Sequence, residues 1–415
     1  MIKKSLVLLL LALSNCMIAQ NLENPYSPAE YSFINYDSSY LYMPSGNPNL
    51  ETFFNKMDKF YFDGEEGFTV MHLGGSHVQG GVWSWCLRRR FESLCHDTEG
   101  DFGIMFPFSI AKTNHPYYYV SKSTGNWSVE KVTKNVSGEP IGLAGLVAFT
   151  SDSVAEISFQ FTRASMKDRH KFTRAILIHG ENDTCYEIHT NADSLLVGCE
   201  TNFSEGYSEF RFAQPMDSLS FTFVRTDTVE SVMHVYGVLV DDTLPAVKMI
   251  NIGVNGAATS SYIGAEKFFP QLDAVKSDLA ILSIGVNDAA GNFSKEQYVA
   301  NYKKIVDAIL SVNPDCAIIF TTNNDFYNYK GGPNVNQPKV CEAMRELADY
   351  YHASMWDLYN VMGGFKSVTT WYKNDLAKKD KIHFTSNGYY IVGNLLFEAI
   401  LREYENHLNK KQSQN

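Results

Sequence analysis

Hydrophobic and polar positions along the chain fall into two rhythms. The first is a set of short, continuous apolar runs at 68–73, 247–252, 279–284 and 316–320, with a weaker fifth at 354–358. Each has the length of a strand buried on both faces, where polar residues need not recur at every second place. Helical patterns lie between or after these runs, near 83–96, 295–312, 337–351 and 386–408. Strands alternating with helices of this length predict a parallel sheet covered on both faces.

Between 117 and 242 the period changes to two. Ala155, Ile157, Phe159 and Phe161 alternate with Glu156, Ser158 and Gln160. Leu219, Phe221 and Phe223 repeat the pattern, as do Met233, Val235, Gly237 and Leu239. Such alternation, broken by Gly/Asn-rich turns, predicts an all-β sandwich or jelly roll. Because α/β elements resume after it, the β unit reads as an insertion. The expected organisation is a leader at 1–20, a first α/β part at 21–116, an inserted β-sandwich at 117–242 and a second α/β part at 243–415.

The first twenty residues differ from the rest. Lys3 and Lys4 precede an apolar run at 6–13 that is too short to span a bilayer, and Ala19-Gln20 offers a cleavage point. A signal peptide and an exported, periplasmic or extracellular protein are expected. The rival is a lipoprotein signal with Cys16 lipidated. No later segment approaches a membrane span in length, so the mature form is expected to lack one. Losing Lys3 and Lys4 with the leader takes the formal charge from −11 to −13. That acidity disfavours nucleic acid as a partner. The remaining cysteines (Cys86, Cys95, Cys185, Cys199, Cys316 and Cys341) show no CxxC spacing, which argues against a zinc or redox centre. Cys185 and Cys199 could close a hairpin disulfide or remain thiols, and the sequence leaves both readings open.

Four segments sit just beyond strand ends, where an open α/β sheet places its chemistry. Gly74-Gly75-Ser76-His77 follows the first strand, and its glycines allow a sharp turn that exposes the Ser76 hydroxyl. Asn255-Gly256 follows the second, and Gly285-Val286-Asn287-Asp288 the third. The Ser76 and Gly256 amides and the Asn287 side chain could donate to an oxyanion. Asp380-Lys-Ile-His383 precedes the last helix, and a carboxylate three residues before a histidine can orient its ring and leave Nε2 as a base. Asp288 reads as a loop brace, His72 as packing within its strand, and His115 as structural or surface. Candidate substrate contacts are His77, as a pocket wall, Asn323 and Tyr327 after the fourth strand, and Trp371 with Tyr372 as a sugar platform.

Together these segments resemble the conserved blocks of the SGNH/GDSL hydrolase superfamily, with Ser76, Gly256, Asn287 and His383 on its four name-giving positions. The resemblance covers 50–115 and 245–405. It extends to the segments 50–63 and 100–107, which are similar to exported bacterial members, some of them peptidoglycan O-acetylesterases with a carbohydrate-binding-like β insertion. It implies a flavodoxin-like, three-layer hydrolase domain, with Ser76, Asp380 and His383 catalytic and no metal or organic cofactor. The family's block-one Asp is Gly75 here, which predicts a looser serine turn. Gly-x-Ser-x-Gly fails at Val78, against an α/β-hydrolase. The implied activity is removal of O-acetyl groups from peptidoglycan or another polysaccharide. The rivals are a lipid or thioester acylhydrolase, an acetyltransferase that excludes water, and a non-catalytic glycan-binding protein.

Overall fold

The computed structural model describes residues 31–95, 100–101, 103–161, 171–181, 183–227, 231–242, 244–329 and 331–414. The leader and Cys16 lie outside them. A seven-stranded sheet runs in the order Leu41–Tyr42, Ser354–Trp356, Ala317–Thr321, Leu279–Ser283, Phe68–Gly74, Val247–Gly253 and Gly100–Asp101. Every pairing in it is parallel except that of Leu41–Tyr42, an antiparallel edge. The five apolar runs of the sequence are its five central strands. Numbered along the chain, they lie in the spatial order 2-1-3-4-5, the flavodoxin-like arrangement.

Alternation along each strand divides the sheet's two faces. Phe68, Val70, Leu279, Ile281, Ala317 and Ile319 point to one side, into a core shared with Leu50, Phe53, Leu87, Phe91, Leu396 and Ile400. The helices Pro48–Asp58, Val82–Glu92 and Ser386–Gln414 carry those partners. Met71, Leu73, Ile250, Ile252, Ala280 and Leu282 point to the other side. There they meet the helices Lys295–Val312 and Gln337–Tyr351, and this second core continues without a break into the β unit.

The β unit is a sandwich of antiparallel sheets. One sheet has the order Tyr186–Thr190, Ser218–Arg225, Val154–Phe161, Tyr119–Thr124. The other has the order Leu196–Asn202, Tyr207–Met216, Phe172–His179, Met233–Asp241, Leu146–Thr150, Ser128–Lys131. The rings of Phe210 and Phe221 meet between them at 5.5 Å. A short strand, Gly103–Met105, joins the second sheet beside Met233–Asp241, directly after Gly100–Asp101 has paired with the α/β sheet. The chain therefore enters the sandwich at Gly103, ahead of the expected 117. Cys185 and Cys199 are both free thiols. Cys185 immediately precedes Tyr186–Thr190 in one sheet while Cys199 lies in the other, so no hairpin brings them together.

Candidate active site

Ser76 owes its position to how the first strand ends. The strand stops at Gly74, where an added Cβ would meet Val78 Cγ2 at 2.4 Å and the Ser283 carbonyl at 2.9 Å, so only glycine fits. The Gly75 carbonyl then accepts from the Val78 and Gln79 amides at 3.1 and 3.0 Å and starts the short helix Ser76–Gln79. Ser76 is its first residue, where an N–H has no acceptor inside the helix. The Tyr262 hydroxyl also donates to the Gly74 carbonyl at 2.9 Å. These bonds hold the serine turn in the absence of the family's acid at Gly75.

The Asp380–His383 loop reaches this serine from the far end of the chain. The Ser76 Oγ–His383 Nε2 distance is 2.7 Å, and His383 Nδ1 lies 2.8 Å from Asp380 Oδ2. With Nδ1–H donating to the carboxylate, Nε2 is left to accept the serine proton. Asp380 Oδ1 accepts from the Ile382 and His383 amides at 2.9 and 3.0 Å. Burial pushes the Asp380 carboxyl up, but the donors from His383 and Ile382 outweigh it and hold the acid below its ordinary range. The loop is braced from the fourth strand's end. Asn324 Nδ2 donates to the Ile382 carbonyl at 2.9 Å and the Tyr327 amide to the Lys381 carbonyl at 3.0 Å.

Gly256 is the third residue of a turn closed by the Ala257 amide on the Val254 carbonyl at 3.0 Å, and its φ of +82° is one that side chains rarely adopt. The Asn287 Nδ2 donates to the Ala257 carbonyl at 3.0 Å, which fixes the amide beside Gly75 and leaves its second hydrogen for a ligand. Asp288 accepts from the Thr259 amide and from its hydroxyl, the latter at 2.6 Å, and so ties the third segment to the second. Gln79, Asn114 and Asn255 form a further knot. Gln79 Oε1 accepts from the Asn255 amide at 2.7 Å, and Asn114 Oδ1 accepts from both Gln79 Nε2 and Asn255 Nδ2. His72 is fully buried and bridges Ser84 and Ser283 at 2.8 and 2.9 Å across the sheet, and burial pushes its pKa down to about 3.

A cleft of about 580 Å³ opens over Ser76 and His383, lined also by Gly256, Asn114, His115, Tyr117, Tyr329, Lys378 and Phe384. The expected substrate contacts fare unevenly. His77 is no pocket wall. It is buried behind His383, ring centroids 5.1 Å apart, and bonds the Tyr389 hydroxyl through Nδ1 at 3.1 Å. Burial, with His383 alongside, pushes its pKa down to about 3 and keeps it neutral. Trp371 is no sugar platform, because its ring is buried against Phe384 and its Nε1–H donates to the Met362 carbonyl. Asn323 is buried beside Gly285, and Tyr327 serves the loop under a lysine, with Lys381 Nζ 4.5 Å from its ring centroid. Sequence reasoning missed Asn114, Tyr117 and Lys378 and set His115 aside as structural or surface. None carries a spacing signal, because folding alone brings them to the serine. Tyr329, two residues beyond Tyr327, lines the cleft.

A family model described as the GDSL-like Lipase/Acylhydrolase family matches residues 217–391, which include Gly256, Asn287, Asp380 and His383 but not Ser76. No curated protein matches the chain. Among solved structures, a peptidoglycan O-acetylesterase superposes with a TM-score of 0.69 at 18% identity, covering 91% of this chain and 99% of that one. A lipase/acylhydrolase from Enterococcus faecalis matches at 21% identity and TM-score 0.29, covering 37% of this chain and 76% of its own. An acetylxylan esterase from Geobacillus stearothermophilus matches at 18% identity and TM-score 0.32, covering 38% and 73%. The matched segment supports a carboxylic ester hydrolase, and the fold over most of the chain is that of the peptidoglycan O-acetylesterase structure.

Proposed function

We propose that the protein removes O-acetyl groups from a cell-wall or extracellular polysaccharide, with Ser76 as nucleophile, His383 as base and Asp380 as its orienting acid. The observation that carries this reading is the unbroken relay from Asp380 through His383 to Ser76, at 2.8 and 2.7 Å. His383 takes the Ser76 proton as Oγ attacks the ester carbonyl, and the negative charge gathers on the carbonyl oxygen. The Ser76 and Gly256 amides and Asn287 Nδ2 are the donors assigned to that oxygen. Protonated His383 then gives its proton to the departing sugar hydroxyl. In the second half, His383 activates water to release acetate from Ser76.

A polysaccharide ester is favoured because the cleft is open and lined by polar and aromatic side chains, and no long apolar lid pattern occurs in the sequence. The fold likeness to a peptidoglycan O-acetylesterase over nearly the whole chain points the same way. Export through residues 1–20 would place the enzyme beside such a substrate. Among the described residues no helix is long and apolar enough to cross a membrane.

The test is acetate release from O-acetylated peptidoglycan and xylan, beside short- and long-chain nitrophenyl esters. Ser76→Ala should lower kcat by about 10⁶, as loss of a serine nucleophile does elsewhere. A serine-directed phosphonate should label the wild type at Ser76. Labelling at another serine, or faster turnover of long-chain esters than of any acetylated glycan, would sink the reading.

A further inference from the structure

The chain as a whole is acidic, with 46 Asp and Glu against 35 Lys and Arg. The cleft over Ser76 reverses that balance. No Asp or Glu is among its lining residues, and Lys378 is. Lys378 is exposed, and its ammonium makes no ion pair among the described residues. The residue itself is fixed, because its backbone N–H donates to the His383 carbonyl at 2.7 Å. Its side chain therefore starts from the same loop that holds the catalytic imidazole.

Neutral donors line the same cleft. His115 Nδ1 accepts the Ser121 amide at 3.3 Å, which places the ring proton of the neutral imidazole on Nε2 as a donor. Asn114 has its Oδ1 taken by Gln79 and Asn255, which leaves its NH₂ as the group available to a ligand. Tyr329, 79% exposed at the rim, offers a flat ring on which a sugar can lie. With one lysine and several donors in its lining, and the nearby Asp380 carboxylate already taken by His383 and the loop amides, the cleft favours a ligand rich in acceptors that bears negative charge.

We infer that the cleft selects a glycan carrying an anionic substituent near its acetyl ester, held by Lys378 together with the donors of His115 and Asn114. This rests on the glycan-ester reading above and narrows it, since a neutral acetylated polymer offers Lys378 nothing to pair with. A carboxylate or a phosphate would satisfy the same groups.

The test uses the full-length protein and three sets of O-acetylated oligosaccharides of matched acetyl content: one neutral, one bearing uronic-acid carboxylates, one bearing phosphate. The wild type should favour one anionic set over the neutral set by about tenfold in kcat/KM, the worth of one charge-assisted contact, and chiefly through KM. The anionic set it favours identifies the charge. The preference should shrink between about 0.01 M and about 1 M salt, as the Debye length contracts. Lys378→Gln should bring the anionic-to-neutral ratio close to one, and Lys378→Arg should restore most of it. Equal kcat/KM on all three sets, or a ratio untouched by Lys378→Gln, overturns this inference and leaves the glycan esterase standing. No acetate from any set, with nitrophenyl acetate still cleaved, overturns both.

Discussion

The α/β region and the β unit each bury a hydrophobic core but differ in what they leave outside. Among the described residues, the most exposed phenyl and phenol rings are those of Tyr40, Phe62, Tyr329, Tyr350, Phe365 and Tyr372, and all belong to the α/β region. The large apolar residues exposed on the β unit are Val120, Val136, Val154 and Val197. A surface that grips sugars generally offers flat aromatic faces, and branched aliphatic side chains are a poor substitute. The β unit's inward side, by contrast, is continuous with the core beneath the serine strand. The Lys267 amide donates to the Ile141 carbonyl at 2.9 Å and Gln271 Oε1 accepts from the Leu143 amide at 2.8 Å, so the joint is also hydrogen-bonded. The difference favours a division of labour in which the β unit covers one face of the sheet and the α/β loops are left to meet the proposed glycan substrate.

The severest test of that division is removal of the cover. Replacing residues 103–242 by a short linker would expose Met71, Leu73, Ile250 and Ile252 to water, and the remaining chain should fail to fold, as read by circular dichroism and solubility. A soluble, cooperatively folded remnant that still cleaves nitrophenyl acetate would restore the β unit to the status of an appended module.

Two substitutions then separate stability from chemistry. Phe221→Ala, in the middle of the sandwich core, should cost about 3–5 kcal/mol of unfolding free energy. Turnover per folded molecule should stay near wild type. Asn287→Ala should do the reverse. It removes one assigned oxyanion donor and should lower kcat by about 10²–10³ with a small effect on KM and on the melting temperature. If Phe221→Ala damaged kcat as much as Asn287→Ala, the two regions would be coupled in catalysis and the comparison would collapse.

The mildest effect is expected at the junction. Burial pushes the Asp101 carboxyl up to about 7, with Lys248 opposing and Asp241 reinforcing the shift. The folded state thus holds a proton that the unfolded chain releases near its ordinary carboxylate value. Stability on this account falls as pH rises from about 4 to about 7 and is level above. Asp101→Asn should raise the melting temperature at about pH 8 and change it little at about pH 4. An equal shift at both values would show that Asp101 stays ionised throughout.

How much of this was legible in the sequence depended on the length of each signal. The helices Lys295–Val312 and Gln337–Tyr351 fall where the periodicity put them, because several turns of one apolar face leave little choice of register. The strands Leu41–Tyr42, Gly100–Asp101 and Gly103–Met105 are too short to carry any period. The convergence of Ser76, Asp380 and His383 could be read because each stands in a short motif after a strand or before a helix. Trp371 could not be read correctly, because the short helix Ser367–Lys373 turns it into the core and leaves Tyr372 outside. Its sequence neighbours give no hint of which of the two faces in. Lys378 and His115 meet only through tertiary structure, so their shared cleft has no one-dimensional trace.

The strand bearing Ser76 at its end has a consequence for biosynthesis. Its partners in the sheet, Val247–Gly253 and Leu279–Ser283, follow it only after the whole sandwich has been translated. A chain emerging N-terminus first, from the ribosome or from an export channel, therefore carries Phe68–Gly74 unpaired, with both edges open, while the antiparallel hairpins behind it can already close on one another. The sandwich can be a finished surface before the serine strand has any neighbour, and the sheet would then assemble against it. On this order of events the middle of the gene acts as a template for its two ends, and a delay in closing the sandwich lengthens the time for which the serine strand is open to aggregation.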